Sequence, residues 1–115
     1  MHELGIANSL LEAIQAESLR HGGARVQKAG VRIGELSGVN PESLRFCFEC
    51  LVKDSPFEPL PLDIQFCPRR HTCPGCGGSF LVVDYNTACP SCGMDDTKCT
   101  GGTELELSYL ELEES

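Results

Sequence analysis

Two stretches repeat one pentapeptide. Cys73-Pro74-Gly75-Cys76-Gly77 and Cys89-Pro90-Ser91-Cys92-Gly93 both read C-P-x-C-G, with twelve residues between Cys76 and Cys89. In each, Pro fixes a turn, two thiols sit three positions apart, and the following Gly frees the backbone to point N–H groups at sulfur. Two such knuckles supply four thiolates, the ligand set of a closed, tetrahedral, structural zinc site. Iron suits the same sulfur set, so the spacing favours zinc without excluding iron. A thioredoxin-like redox pair does not fit, because neither C-x-x-C lies in a βαβ context.

The other residues with coordinating potential open the chain. In Met1-His2-Glu3, the terminal amine, the His2 backbone nitrogen and His2 Nδ1 form fused five- and six-membered chelate rings. That nitrogen set suits a square-planar Ni(II) or Cu(II) ion. Taken alone the pattern is weak. A terminal His is usually just solvated, and Glu3 alone reads as a first-turn carboxylate favourable to a helix dipole. Four further cysteines carry less signal. Cys47 and Cys50 form a C-x-x-C inside a helical pattern, where Cys47 reads as a small core residue. Cys67 and Cys99 flank the cysteine-rich stretch and read as free thiols.

These groups need elements to position them. Residues 3–20 predict an amphipathic helix with Leu4, Ala7, Leu11, Ile14 and Ser18 on one stripe, widened by Leu10 and ended by Gly22-Gly23. Residues 25–36 contain a strand around Val31 and Ile33, with a bulge near its glycines. Asn40-Pro41 is a helix start, with Asn as cap and Pro at the first helical position. Leu44, Cys47, Phe48 and Leu51 form that helix's stripe, and Lys53-Asp54-Ser55-Pro56 stops it. A second strand places Leu62, Ile64 and Phe66 inward. Phe80–Val83 predicts a short hairpin strand between the knuckles. Glu104–Leu112 predicts a last strand, with Leu105, Leu107 and Tyr109 alternating and the parity shifting at Leu110 and Leu112 through a bulge. The expected fold is α+β: two helices packed on a small three-stranded sheet, with an inserted four-cysteine zinc ribbon. Residues 1–66, completed by a strand in 101–115, make one unit, and residues 67–100 make the ribbon.

Composition narrows the function. The 115 residues carry a formal net charge of −8 and eight cysteines. An acidic chain lacks the basic field a nucleic-acid surface needs. The ribbon itself carries Asp84, Asp95 and Asp96, and a four-thiolate zinc site adds −2. No apolar run approaches the roughly 20 residues of a membrane span. Met1-His2-Glu3-Leu4 has no basic n-region, so no signal peptide is expected and the setting is cytoplasmic. No Ser/His/Asp set or carboxylate pair stands out, and a closed zinc site leaves no position for a catalytic water, so no catalytic residue is assigned and an enzyme is not expected.

Taken together, Met1-His2-Glu3, Ile33-Gly34-Glu35-Leu36-Ser37-Gly38-Val39, Pro41-Glu42-Ser43-Leu44, the two C-P-x-C-G knuckles and Gly101-Gly102-Thr103-Glu104-Leu105 resemble the HypA/HybF hydrogenase-maturation family. The resemblance implies a nickel metallochaperone for [NiFe]-hydrogenase. It implies Ni2+ cargo at Met1 and His2, with Glu3 contributing its backbone or positioning the site. It implies structural Zn2+ at Cys73, Cys76, Cys89 and Cys92. The implied partners are the GTPase HypB and the hydrogenase large-subunit precursor, with a homo-oligomer left open. Both knuckles end in Gly, and His71 is the ribbon's one histidine. The competing reading is a zinc-ribbon protein–protein adaptor without a nickel role.

Overall fold

A computed structural model describes residues 3–113. Helix α1 spans Glu3–Arg20 and leads into strand β1, Val26–Gly34. A short 3-10 turn, Glu35–Ser37, connects to helix α2, Pro41–Val52. Strands β2 (Leu62–Cys67), β3 (Arg70–Thr72), β4 (Ser79–Leu81), β5 (Lys98–Gly101) and β6 (Leu105–Leu112) follow.

Two three-stranded sheets result. The first has the order β2-β1-β6, with β2 parallel and β6 antiparallel to the central β1. The second has the order β4-β3-β5 and is antiparallel. The cysteine-rich module thus leaves the first sheet after β2 and returns to it as β6, as an insertion requires.

Helix boundaries follow local chemistry. Gly23 N–H bonds the Ser18 carbonyl at 2.9 Å, and both Gly22 and Gly23 have positive φ, which closes α1. The Asn40 side chain accepts the Ser43 N–H, with Pro41 next to it, which opens α2. Both helices cover one face of the first sheet. Ile14 of α1 and Leu44 and Phe48 of α2 pack with Ala29, Val31 and Ile33 of β1, all fully buried.

Several expected positions move. In α1 the buried stripe runs through Ala7, Leu10, Ile14 and Ser18, whereas Leu4 is exposed and Leu11 only half-buried. The stripe is rotated towards Leu10, because α1 must meet α2 as well as the sheet. Cys47 is half-buried on α2, and Val52 joins the core in its place. Phe66 is exposed rather than inward, since it lies at the end of an edge strand with one flanking neighbour. Of the expected strand 80–83 only Phe80 and Leu81 are in one, Ser79–Leu81, and Val83 bridges Asn86 instead.

The bulge in β6 is present. Gly30 pairs Tyr109 and Val31 pairs Leu107, so Ser108 is the extra residue. It turns Tyr109 onto the sheet's outer face, not the inner alternation expected of it. There its ring lies across Gly30, where an added Cβ would stand 1.9 Å from the ring. The Tyr109 hydroxyl then donates to Asp63 on β2 at 2.5 Å, spanning the whole sheet.

Candidate metal centre

The two knuckles have the same backbone. Cys73 N–H bonds the Gly78 carbonyl at 2.9 Å and Cys89 N–H bonds the Met94 carbonyl at 2.9 Å. Gly77 N–H returns to the Cys73 carbonyl and Gly93 N–H to the Cys89 carbonyl, each at 2.8 Å. Gly77 and Gly93 share φ of 78°, a left-handed turn a side chain would resist. That requirement explains the closing glycine of the pentapeptide.

Folding brings the four thiols together. The Sγ atoms of Cys73, Cys76, Cys89 and Cys92 all lie within 4.8 Å of one another. Cys73 and Cys92 are 3.5 Å apart and Cys76 and Cys89 are 3.6 Å apart. Four sulfurs at about 2.3 Å from a tetrahedral ion stand about 3.8 Å from each other, so the cluster has the right size for one ion. Cys73 and Cys89 are buried, and Cys76 and Cys92 face out. Met94 adds a thioether 3.8 Å from Cys73.

The electrostatics point the same way. Backbone N–H groups of Cys92 and Ser91 pull the Cys89 thiol down to about 6. The Cys76 and Gly75 amides lower Cys73 against the cost of its burial. At Cys92 the Met94 amide lowers the pKa, but neighbouring Cys73 and Cys89 outweigh it and push the thiol up to about 11. Cys76 is raised too: its Gly78 amide bond is outweighed by Cys89, Cys73 and burial. Two thiols ionise easily and two resist, because four thiolates this close repel one another. A bound divalent cation removes that repulsion.

His71 is not aimed at the sulfurs. It is 4% exposed, and both ring nitrogens are engaged. Arg69 Nε donates to Nε2 at 3.1 Å, and Nδ1 lies 2.9 Å from Thr97 Oγ1. The Thr97 hydroxyl donates to the Thr87 carbonyl, so the ring carries its proton on Nδ1 and is neutral. Burial and then Arg69 lower its pKa accordingly. His71 is a strut of the second sheet. Cys47, Cys50, Cys67 and Cys99 are free thiols outside the cluster.

At the other candidate site, Met1 and His2 lie outside the described residues. Glu3 is the first residue of α1, and its Oε2 accepts the Asn40 N–H at 3.2 Å. The chain start and the cap of α2 therefore meet. Sequence reasoning did not pair position 40 with the terminus, because 37 positions separate them and no local signal links them.

It also left unexplained why two motifs resemble the family so far apart. Gly34 N–H bonds the Glu104 carbonyl and Leu36 N–H bonds the Gly102 carbonyl, both at 2.7 Å. Arg69 N–H bonds Glu35 Oε1, and Glu104 Oε1 accepts the Gly102 N–H. Residues 33–39 and 101–105 thus form one joint where the chain passes between its sheets.

Comparison with known proteins agrees with this architecture. A family model described as "Hydrogenase/urease nickel incorporation, metallochaperone, hypA" matches residues 1–112. A hydrogenase maturation factor HypA from Geobacter metallireducens is 38% identical, over 98% of this chain and 100% of its own length. Another from Syntrophus aciditrophicus is also 38% identical, over 98% of each chain. The solution structure of the Ni metallochaperone HypA from Helicobacter pylori, 28% identical, aligns with a TM-score of 0.62 over 97% of each chain. A further solution structure of a HypA protein, 24% identical, has the same fold with a TM-score of 0.72 over 98% of this chain and 97% of its own.

Proposed function

The chain belongs to the HypA family of nickel-incorporation metallochaperones, and from that premise we propose that it binds Ni(II) at its own amino terminus for delivery to a [NiFe]-hydrogenase precursor. The terminal amine of Met1, the His2 backbone nitrogen and His2 Nδ1 are the donors. Glu3 fixes the site. The observation that carries this is the bond from Asn40 N–H to the Glu3 carboxylate, which anchors the residue following the chelate to a second helix.

All three donors compete with protons, so affinity falls as they protonate and the cargo is releasable. The four-cysteine cluster contrasts with them. We propose that it holds Zn(II) permanently through Cys73, Cys76, Cys89 and Cys92, which fit one tetrahedral ion in size and charge. Zinc there supplies a cross-link, and the thiolates and their amides hold it. On this reading, residues 1–66 and 101–115 handle nickel and residues 67–100 form the ribbon. The GTPase HypB and the hydrogenase large-subunit precursor are the partners, in the cytoplasm, where thiols stay reduced. The family description names urease as well as hydrogenase as a destination.

The test is a Ni(II) titration of untagged, zinc-loaded protein beside His2→Ala. Loss of the square-planar absorption band and at least a roughly tenfold weaker affinity are expected, since even an outer-shell partner of a metal ligand is worth that much. Unchanged affinity and spectrum in His2→Ala would place nickel elsewhere in the chain, and no nickel binding by the unsubstituted protein would leave the adaptor reading in its stead.

A further inference from the structure

Beside β6 runs a groove lined by none of the four cluster cysteines. Gly5, Ser9, Ala13 and Glu17 of α1, and His21 just beyond it, recur every four residues along one wall. The leucines of β6 form the other wall. The groove has two lobes of about 520 and 350 Å³ that share Leu107. Gly5, Ser9 and Ala13 are too small to cover the strand. Leu105 therefore stays 41% exposed, and Leu107, Leu110 and Leu112 are only partly buried.

The edges of the sheet are treated unequally. Proteins guard edge strands with Pro, Lys, short length or a covering group. At β2 the Pro61 carbonyl accepts the Ala29 N–H, so the Leu62 carbonyl points the other way, and Arg45 Nη1 donates to it at 2.5 Å. Pro61 and Pro68 bracket that strand. β6 is longer, with eight residues, contains neither Pro nor Lys, and has no second strand beside it among the described residues.

Charge selects the occupant. Glu104, Glu106, Glu111 and Glu113 line this strand and its ends. Arg32 is shared between Glu104 and Glu106, at 3.6 Å from each, and Lys28 stands opposite Glu111, so the strip stays acidic. Antiparallel pairing of two copies about Ser108 and Tyr109 would set Glu106 against Glu111 and Glu104 against Glu113. Like charges directly opposite destabilise such a pair.

We infer that the α1–β6 groove docks an extended segment of a partner protein in which apolar side chains alternate with Lys or Arg. The segment adds a fourth strand to the sheet. Its backbone bonds the free edge of β6, its apolar side chains enter the groove against Gly5, Ser9 and Ala13, and its cations meet the glutamates. The inference is independent of where nickel binds.

A capped eight-residue peptide alternating Val and Lys, its Val/Glu counterpart, and the untagged, zinc-loaded full chain test it by amide hydrogen exchange. The Val/Lys peptide should slow exchange in 105–112 by about tenfold, with affinity falling as salt rises. Ala13→Phe, at an exposed helix position, should abolish that protection with β1 exchange unchanged. Glu111→Lys with Glu113→Lys should shift the preference towards the Val/Glu peptide. Equal protection by both peptides, or protection of β2 instead of β6, would overturn the inference. So would β6 protection that grows with protein concentration alone, which would assign the edge to a second copy.

Discussion

Glu3 Oε2 accepts the backbone N–H of Asn40 at 3.2 Å, joining the first turn of α1 to the cap of α2. The contact spans 37 positions and fixes the residue directly after the proposed nickel donors. It also brings a carboxylate to the positive ends of both helices, where negative charge is favourable.

Glu3→Ala removes that anchor and should lower stability by about 1.5 kcal/mol, the low end for a hydrogen bond to a charged group. Nickel affinity should fall as well, but by less than in His2→Ala, since no nitrogen donor is lost. Thermal unfolding and nickel titration of the same sample check both effects.

Cys89→Ser replaces a buried thiol of the cluster whose pKa the Cys92 and Ser91 amides lower. Bound zinc should fall from one ion per chain towards none. Exchange in β3, β4 and β5 should accelerate while β1 keeps its protection, because the small module has few core residues to replace the metal cross-link. Cys50→Ser, at an exposed thiol outside the cluster, should change neither quantity.

Gly34→Ala tests the joint between the sheets. Gly34 has φ of −85°, so conformation would permit a side chain, but its Cβ would lie 2.1 Å from the Gly102 carbonyl oxygen. A backbone neighbour cannot swing aside, and a cost of about 3 kcal/mol is expected, at the upper end for overpacking. Gly23→Ala has open space around it but φ of 77°, and should cost only about 1–2 kcal/mol through its left-handed backbone. Denaturant unfolding of the two variants separates contact from conformation.

Tyr109 gives a pH signature. Its hydrogen bond to Asp63, then burial and the charges of Asp63 and Glu111, push the phenol up to about 12. A raised folded-state pKa favours the protonated form, so its stabilising share is complete below about 10 and is lost as pH climbs through 12. In a Tyr85→Phe background, phenolate absorbance should titrate near 12 in folded protein and fall when Asp63→Asn removes the charged acceptor. An unchanged titration in Asp63→Asn would refute the assignment.

Much of this protein is legible in the chain itself. The knuckles are set by residues three apart, the helix caps by Asn40-Pro41 and Gly22-Gly23, and the strands by short alternation. All are local, and each carries its own physical cause. Even the β6 bulge shows as a parity shift in Leu105-Glu106-Leu107-Ser108-Tyr109-Leu110. The tertiary structure decided what lies far apart in sequence. It set Gly34 against Gly102, Tyr109 across Gly30 onto Asp63, and Glu3 against Asn40. It turned Phe66 outward and engaged both nitrogens of His71 within the second sheet. Such contacts depend on which strands pair, in which register, and how far a helix reaches over them. No local spacing encodes those quantities, since they are fixed only when the whole sheet and its two helices close on one core.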